Sequence, residues 1–133
     1  MGVGSLKQKC RDNLAAIELL KRLETEDRPA TDEEKRGLVR YVGWGGLPQV
    51  FDACNDQWKS EREQLESLLT PDELESARAT TLNAHYTAPV IIRAMYMALQ
   101  RLGFTHGRIL EPALGVGHFI GLMPDDMHAR SLI

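Results

Sequence analysis

The feature that most constrains the fold is the stretch ILEPALGVGHFIG, residues 109–121, where an apolar run ends in a carboxylate and two closely spaced glycines. GRILEP reads as a short strand that Pro112 stops, and HFIGLM reads as the start of a helix after the glycine turn. The final SLI, residues 131–133, could begin a second strand. Strand, glycine turn, helix and strand open a doubly wound parallel sheet. We therefore predict that residues 81–133 form the truncated beginning of a Rossmann-like α/β domain, with one or two short parallel strands.

Residues 1–80 carry the signals of an α-helical N-terminal region. Thr31 with Glu34, and Thr70 with Glu73, have the spacing of a capping box at a helix start; the helix that begins near Thr31 is expected to close at Gly43. An amphipathic stripe at spacings of three to four precedes them, formed by Leu6, Cys10, Leu14 or Ile17, Leu20 and Leu23. The chain is thus predicted to be mainly α-helical, with its first domain at residues 1–80.

The sequence YVGWGGLPQVF, residues 41–51, interrupts these helices with three glycines around Trp44. Such a stretch cannot continue a helix, so the backbone must turn sharply. A ligand site is one interpretation, but we favour a helix–helix corner in which Trp44 is inserted into the core.

The stretch TAPVIIRAMYMALQRLGF, residues 87–104, predicts a helix just before the glycine turn. Thr87 is its expected cap, Pro89 lies near its first turn, and Gly103 stands at its C-terminal end. The density of apolar residues implies that this helix is buried on more than one side.

Composition excludes several classes of function. The net charge is −3 and the pI about 5.8, which argues against a basic surface that coats nucleic acid. Cys10 and Cys54 suggest reduced thiols, and the histidines lack the spacing of a zinc site. Neither a signal peptide nor an apolar stretch long enough for a membrane span is found, so we expect a cytoplasmic protein without a metal and without a membrane partner.

The spacing in the glycine turn separates three classes of ligand. A phosphate-binding loop needs Lys followed by Ser or Thr after its last glycine, and here Leu122 follows Gly121. The dinucleotide fingerprint needs glycine or alanine where Ile120 stands. Both phosphate-containing ligands are therefore disfavoured.

S-adenosylmethionine is the third class, and it needs only a close approach of the backbone and a carboxylate for its amino group. Glu111 precedes Gly115 by four residues, and Gly117 follows. A helix that begins near His118 would offer N–H groups to the carboxylate of the methionine. Glycine pairs also occur in purely structural turns, and that interpretation stays open.

LEPALGVGHFI, residues 110–120, resembles the cofactor loop of N6-adenine DNA methylases, Asp/Glu-Pro-Ala-x-Gly-x-Gly-x-Phe. NAHYTAPVIIRAM, residues 83–95, resembles the aromatic-Thr-Pro element that precedes this loop in the family, although Ala88 separates Thr87 from Pro89. With RYVGWGGLPQVFD, residues 40–52, the pattern is similar to the N-terminal region of large plasmid- and phage-borne proteins. Those proteins join an adenine-methylase domain to a DEAD/DEAH-type helicase.

The resemblance implies S-adenosylmethionine as the cofactor and DNA as a partner of the intact protein. The residues it assigns to the cofactor site are Tyr86, Thr87, Glu111, Pro112, Ala113, Gly115 and Gly117. The Asn/Asp-Pro-Pro-aromatic tetrapeptide that clamps the target amine in the family is absent, since the sequence contains no Pro-Pro. We therefore expect an N-terminal fragment that binds cofactor at most, with little affinity for DNA and no catalytic residues of its own.

Two alternatives remain open. The cofactor loop would serve equally in a methyltransferase that acts on RNA, protein or a small molecule. A helical interaction module with a purely structural glycine turn would need no cofactor at all. If the predicted sheet has an unpaired edge, self-association of the chain is a further expectation.

Overall fold

The computed structural model describes residues 4–83 and 86–131. The chain divides into two compact units, Met1–Ala84 and His85–Ile133. The first unit contains α1 (Leu6–Glu26), α2 (Asp32–Leu38), α3 (Lys59–Leu68) and α4 (Pro71–Asn83), with short 3-10 helices at Pro48–Phe51 and Asp56–Trp58. The second unit contains α5 (Pro89–Arg101), α6 (His118–Gly121) and α7 (Asp125–His128).

Both predicted capping boxes are confirmed. The Thr31 hydroxyl accepts a hydrogen bond from the Glu34 N–H at 3.3 Å, and the Glu34 carboxylate accepts one from the Thr31 N–H at 2.9 Å. Thr70 and Glu73 make the same reciprocal pair at 3.3 and 2.8 Å. Each box satisfies N–H groups that the first helical turn leaves without partners, so the chain sequence itself sets where α2 and α4 begin.

The end of α2 was predicted at Gly43, and this was wrong, because the helix ends at Leu38. Arg40 and Tyr41 donate their N–H groups to the carbonyls of Gly37 and Leu38, three residues back. The chain therefore tightens into turns before it reaches the glycines.

The predicted corner around Trp44 is confirmed. Trp44 is only 2% exposed, and the Phe51 ring packs edge-on against it with 5.7 Å between the ring centroids. The core of this unit brings the corner together with α1 and α3, and its buried members are Cys10, Leu14, Trp44, Leu47, Val50, Trp58 and Leu65. The α1 stripe is confirmed at three positions, but Leu6 and Leu20 remain more than 40% exposed.

Asn13 fixes the backbone of the corner to α1. The Asn13 side chain is fully buried, its amide donates to the Gly43 carbonyl at 2.8 Å, and its oxygen accepts from the Val42 N–H at 2.8 Å. Gly43 adopts a φ of 73°, in the left-handed region that favours glycine. One buried amide thus satisfies both a donor and an acceptor of a sharply turning backbone.

We expect Asn13→Ala to lower the free energy of unfolding by about 2–3 kcal/mol, because it leaves the Val42 N–H and the Gly43 carbonyl buried without partners. Urea unfolding followed by circular dichroism measures this loss. Asp12→Ala, on the adjacent and partly exposed position, is the control and should cost less than about 1 kcal/mol. Equal, small losses for both variants would contradict the anchoring role of Asn13.

The two cysteines differ in their surroundings. Cys10 is fully buried and Cys54 is exposed. Burial, together with the negative charge of Glu61, raises the pKa of the Cys10 thiol to about 11. Since the folded-state pKa lies above the unfolded-state value, the stability linked to the neutral thiol is present below about pH 8.5 and is lost as the pH rises towards 11.

We expect the exposed Cys54 thiol to react rapidly with a disulfide reagent at pH 8, and the buried Cys10 thiol to react only in denaturant. The variant Cys54→Ser should contain only the slow thiol, while Cys10→Ala should contain only the fast one. Absorbance at the wavelength of the released thiolate follows both reactions. A fast reaction of Cys54→Ser in native buffer would contradict the burial of Cys10.

The second unit packs around α5. Ile92 and Tyr96 of α5 lie against Met123 and Met127, and the Tyr96 hydroxyl donates to the Phe119 carbonyl at 2.7 Å. At the C-terminal end of α5, Gly103 has a φ of 87°, and hydrogen bonds from residues 103 and 104 return to residues 100 and 99. These are the paired bonds of a Schellman motif, which confirms the predicted helix end.

The predicted start of α5 was wrong by one residue. Its cap is Ala88, which contributes no side-chain hydrogen bond, and Pro89 occupies the first turn. Burial of α5 on more than one side is also not observed, because Val90, Ile91 and Met97 are each more than half exposed.

The prediction of a Rossmann-like α/β domain was wrong, because the described residues form helices and turns, without a strand or a sheet. Residues 107–111 have at most an isolated bridge position, at Arg108. A parallel strand is covered on both faces and hydrogen-bonded to a neighbour. Leu110 instead is 87% exposed, although Ile109 packs against the cluster of Ile92 and Tyr96.

Two further expectations depended on the sheet. The second strand, SLI, falls largely on residues 132 and 133, which lie outside the described residues. Self-association was attributed to an unpaired sheet edge, and the described ranges offer no such edge. Among the helices of these ranges, we find none with the length and apolar character needed to cross a membrane.

Candidate cofactor-binding site

The glycine loop is a tight turn held by its own backbone. Gly115 and Gly117 have φ values of 54° and 77°, both in the left-handed region. The Gly117 N–H donates to the Leu114 carbonyl at 2.8 Å, which closes the turn just before α6. Any other residue at either glycine would be strained, so the backbone path depends on this spacing.

Glu111 holds the first half of the loop. One oxygen of its carboxylate, Oε1, accepts from the N–H of Ala113 at 2.9 Å. The other oxygen makes no hydrogen bond within the described part of the chain. Pro112 and Ala113 are exposed and form the outer curve of the turn. The carboxylate is therefore positioned by the loop and retains an oxygen for a further donor.

Tyr86 lies beside the glycine loop, although it stands 29 positions before Gly115 in the sequence. A Cβ atom on Gly115 would stand 3.6 Å from Cε1 of the Tyr86 ring. The ring also lies 5.9 Å from the His118 ring, between centroids, at a tilt of 57°. Burial raises the pKa of the Tyr86 phenol. The structure thus brings together the two segments that the sequence assigned to one site.

Thr87, the remaining predicted site residue, has a different environment. Its side chain is half-buried, and its hydroxyl makes no hydrogen bond within the described ranges. It neither caps α5 nor contacts the loop through a hydrogen bond.

A pocket of about 260 Å³ opens beside Glu111, between α5, the segment 104–111 and α6. Its lining is mainly apolar and consists of Met95, Tyr96, Leu99, Phe104, Ile109, Phe119, Ile120 and Met123, with Arg108 and Glu111 as the charged members. Burial, and secondly the charge of Glu111, raises the pKa of Tyr96. The sequence analysis did not predict Arg108 and Tyr96 as site residues, because no motif contains them. The helical spacing of α5 indicated only that Tyr96 could be buried.

Within the same unit, the Nδ1 atom of His118 is buried and has no hydrogen-bond partner among the described residues. An unsatisfied buried nitrogen is uncommon in folded proteins, and a bound ligand is one way of satisfying it. The described ranges contain no group of three His, Cys, Asp or Glu side chains placed to hold a metal ion.

Comparison of the chain with protein-family models, with curated proteins and with solved structures finds no match to any of them.

Proposed function

We propose that the loop between Glu111 and Phe119, with Tyr86 against it, binds S-adenosylmethionine as part of a DNA adenine-N6 methyltransferase. The observation that carries the proposal is the position of the Tyr86 ring beside the glycine loop, 5.9 Å from the His118 ring between centroids and close enough to Gly115 that an added Cβ there would stand 3.6 Å from it. The resemblance in sequence pairs an aromatic-Thr element with a glycine loop, and in the structure these two segments meet. The proposal does not depend on a parallel sheet.

The residues present suit such a cofactor in three respects. The second oxygen of Glu111 is available to accept from a ligand amine, in a charge-assisted hydrogen bond. His118 Nδ1 supplies an unsatisfied polar atom, and Arg108 a cation for a carboxylate. The apolar pocket that Glu111 and Arg108 line suits the non-polar surface of the cofactor, although its lining includes neither Tyr86 nor His118. Its volume lies slightly below the range of about 300–1,000 Å³ that is usual for ligand pockets.

When bound, the cofactor would supply an electrophilic methyl group for adenine N6. The residues of this chain would bind and orient it, with Glu111 and His118 at polar groups and Tyr86 closing one side. The tetrapeptide that orients the target amine is not in this sequence. We therefore assign cofactor binding to the chain, and we propose DNA recognition, methyl transfer and the helicase activity for the intact protein only.

We expect Glu111→Gln to weaken binding of S-adenosylhomocysteine by roughly 10- to 150-fold, because a charge-assisted hydrogen bond contributes about 1.5–3 kcal/mol. Glutamine can still accept the Ala113 N–H, so the loop should keep its path. Isothermal titration calorimetry gives the dissociation constants. Asp125→Asn, which removes one exposed carboxylate of α7, is the matched control and should bind like the wild type. Equal affinity for Glu111→Gln would remove Glu111 from the site.

A further inference from the structure

A second concave surface lies in the first unit, between α1 and α4. It encloses about 530 Å³, and we call it the α1–α4 groove. Its walls are two helix faces: α1 contributes Ile17, Leu20, Lys21 and Glu24, and α4 contributes Asp72, Glu73, Ser76, Ala77 and Thr80. At a rise of 1.5 Å per residue, each wall runs for about 10 to 12 Å, which equals two turns of a helix.

The floor of the groove is apolar. Ile17 and Ala77 are half-buried there, and Trp44 and Leu69 close the bottom. Leu20 lies on the α1 wall and is 47% exposed. An exposed leucine three residues before the buried Leu23 leaves apolar surface in water, where coverage by another apolar group would be favourable.

The rim of the groove is acidic. Lys21 pairs with Glu73 across it at 3.0 Å, so these two charges compensate each other. Glu24 and Asp72 also line the groove, both are exposed, and neither carboxylate has a hydrogen bond or an ion pair within the described residues. The groove therefore carries two uncompensated negative charges, one on each wall.

We propose that the α1–α4 groove binds a partner protein through an amphipathic helix that has an apolar face and flanking Lys or Arg residues. A groove two turns long accepts apolar side chains at positions i, i+3 or i+4 and i+7 of such a helix. Basic residues on both sides of that apolar face would meet Glu24 on one wall and Asp72 on the other. This surface is separate in sequence from the cofactor loop.

The charge of the rim decides against nucleic acid as the occupant. Phosphates need Lys or Arg to replace their counterions, and the single lysine of the groove is already paired with Glu73. A helix with acidic flanks is also disfavoured, because its carboxylates would be repelled by Glu24 and Asp72. A groove lined by residues of two helices over about two turns suits the side chains of a helix better than a small compact ligand.

The test is fluorescence anisotropy of a labelled 14-residue peptide at physiological salt, with leucines at i, i+3, i+4 and i+7 and lysines beside them. We expect saturable binding to the full chain, and none for a peptide in which glutamates replace the lysines. The double variant Glu24→Gln/Asp72→Asn should weaken binding at least fivefold. Leu20→Ser, at a position that is 47% exposed, should weaken it to a similar degree.

The matched control is Glu33→Gln/Glu66→Gln, which removes two exposed charges outside the groove and should stay within twofold of the wild type. Equal weakening by both double variants would overturn the proposal, because it would show only non-specific attraction. Absence of saturable binding would also overturn it. A concentration-dependent dimer that Leu20→Ser abolishes, without peptide binding, would identify a second copy of the chain as the occupant instead.

Discussion

Gly117→Asp abolishes binding of S-adenosylhomocysteine, a loss of at least 100-fold, if the glycine loop is a cofactor site. A Cβ atom at Gly117 meets no heavy atom of the protein within 4 Å, so the new side chain would project into open space beside the loop. There it would occupy volume that we assign to the ligand, and it would add a second negative charge to the loop that Glu111 begins. The φ of 77° adds strain of about 1–2 kcal/mol, which aspartate tolerates better than most residues.

Gly121→Asp is the control for this variant. Gly121 also has open space at its Cβ position, but it ends α6 and lacks a positive φ. The same charge is thus introduced four residues away, outside the loop. Calorimetric titration of both variants, after circular dichroism has shown that they are folded, separates the effects. Wild-type affinity in Gly117→Asp would mean that the glycine turn is structural only.

Trp44→Ala should lower the free energy of unfolding of the first unit by about 3–5 kcal/mol, the usual range for removal of a buried tryptophan. Trp44 is 2% exposed, contacts Phe51 edge-on and stands at the corner that Asn13 holds. A small domain has a stability of roughly 5–15 kcal/mol, so this loss would remove a large part of the total and lower the midpoint of thermal unfolding. Thermal unfolding followed by circular dichroism measures the change without depending on tryptophan fluorescence.

Val39→Ala provides the comparison. Because Val39 is 67% exposed, this substitution should lower the free energy of unfolding by less than about 0.5 kcal/mol. A similarly small cost for Trp44→Ala would show that the corner is not part of the core.

Local signals explain what the sequence predicted well. The capping boxes at Thr31 and Thr70 and the Schellman end of α5 at Gly103 depend on residues within a few positions of each other. Trp44 was predictable because a large aromatic between glycines has few stable places outside a core. Neighbouring residues determine the caps and the helix end, whereas the burial of Trp44 also needs α1 and α3.

The strand at residues 107–112 was mispredicted because strand formation is not local. An apolar run between Gly107 and Pro112 favours an extended backbone, but a strand also requires hydrogen bonds from another segment. The described residues supply no such neighbour, and Leu110 stays in solvent. Composition cannot reveal whether a partner strand is present.

The resemblance to adenine methylases pairs Tyr86 with the glycine loop in one candidate site. In the structure the Tyr86 ring lies beside that loop, 5.9 Å from the His118 ring between centroids. Its use as a cofactor site stays a prediction. The pocket beside Glu111, with Arg108 on its wall, depends on how α5 packs against residues 104–123, and no sequence motif encodes that packing.

The most direct test of cofactor binding is a two-dimensional amide NMR spectrum of the chain, recorded with and without S-adenosylhomocysteine. We expect saturable shifts confined to residues 86–89, 108–119 and the neighbouring turn of α5, while the first unit stays unchanged. A well-dispersed spectrum that does not respond to millimolar ligand would contradict cofactor binding, and the glycine turn would then be a structural element of a helical interaction module.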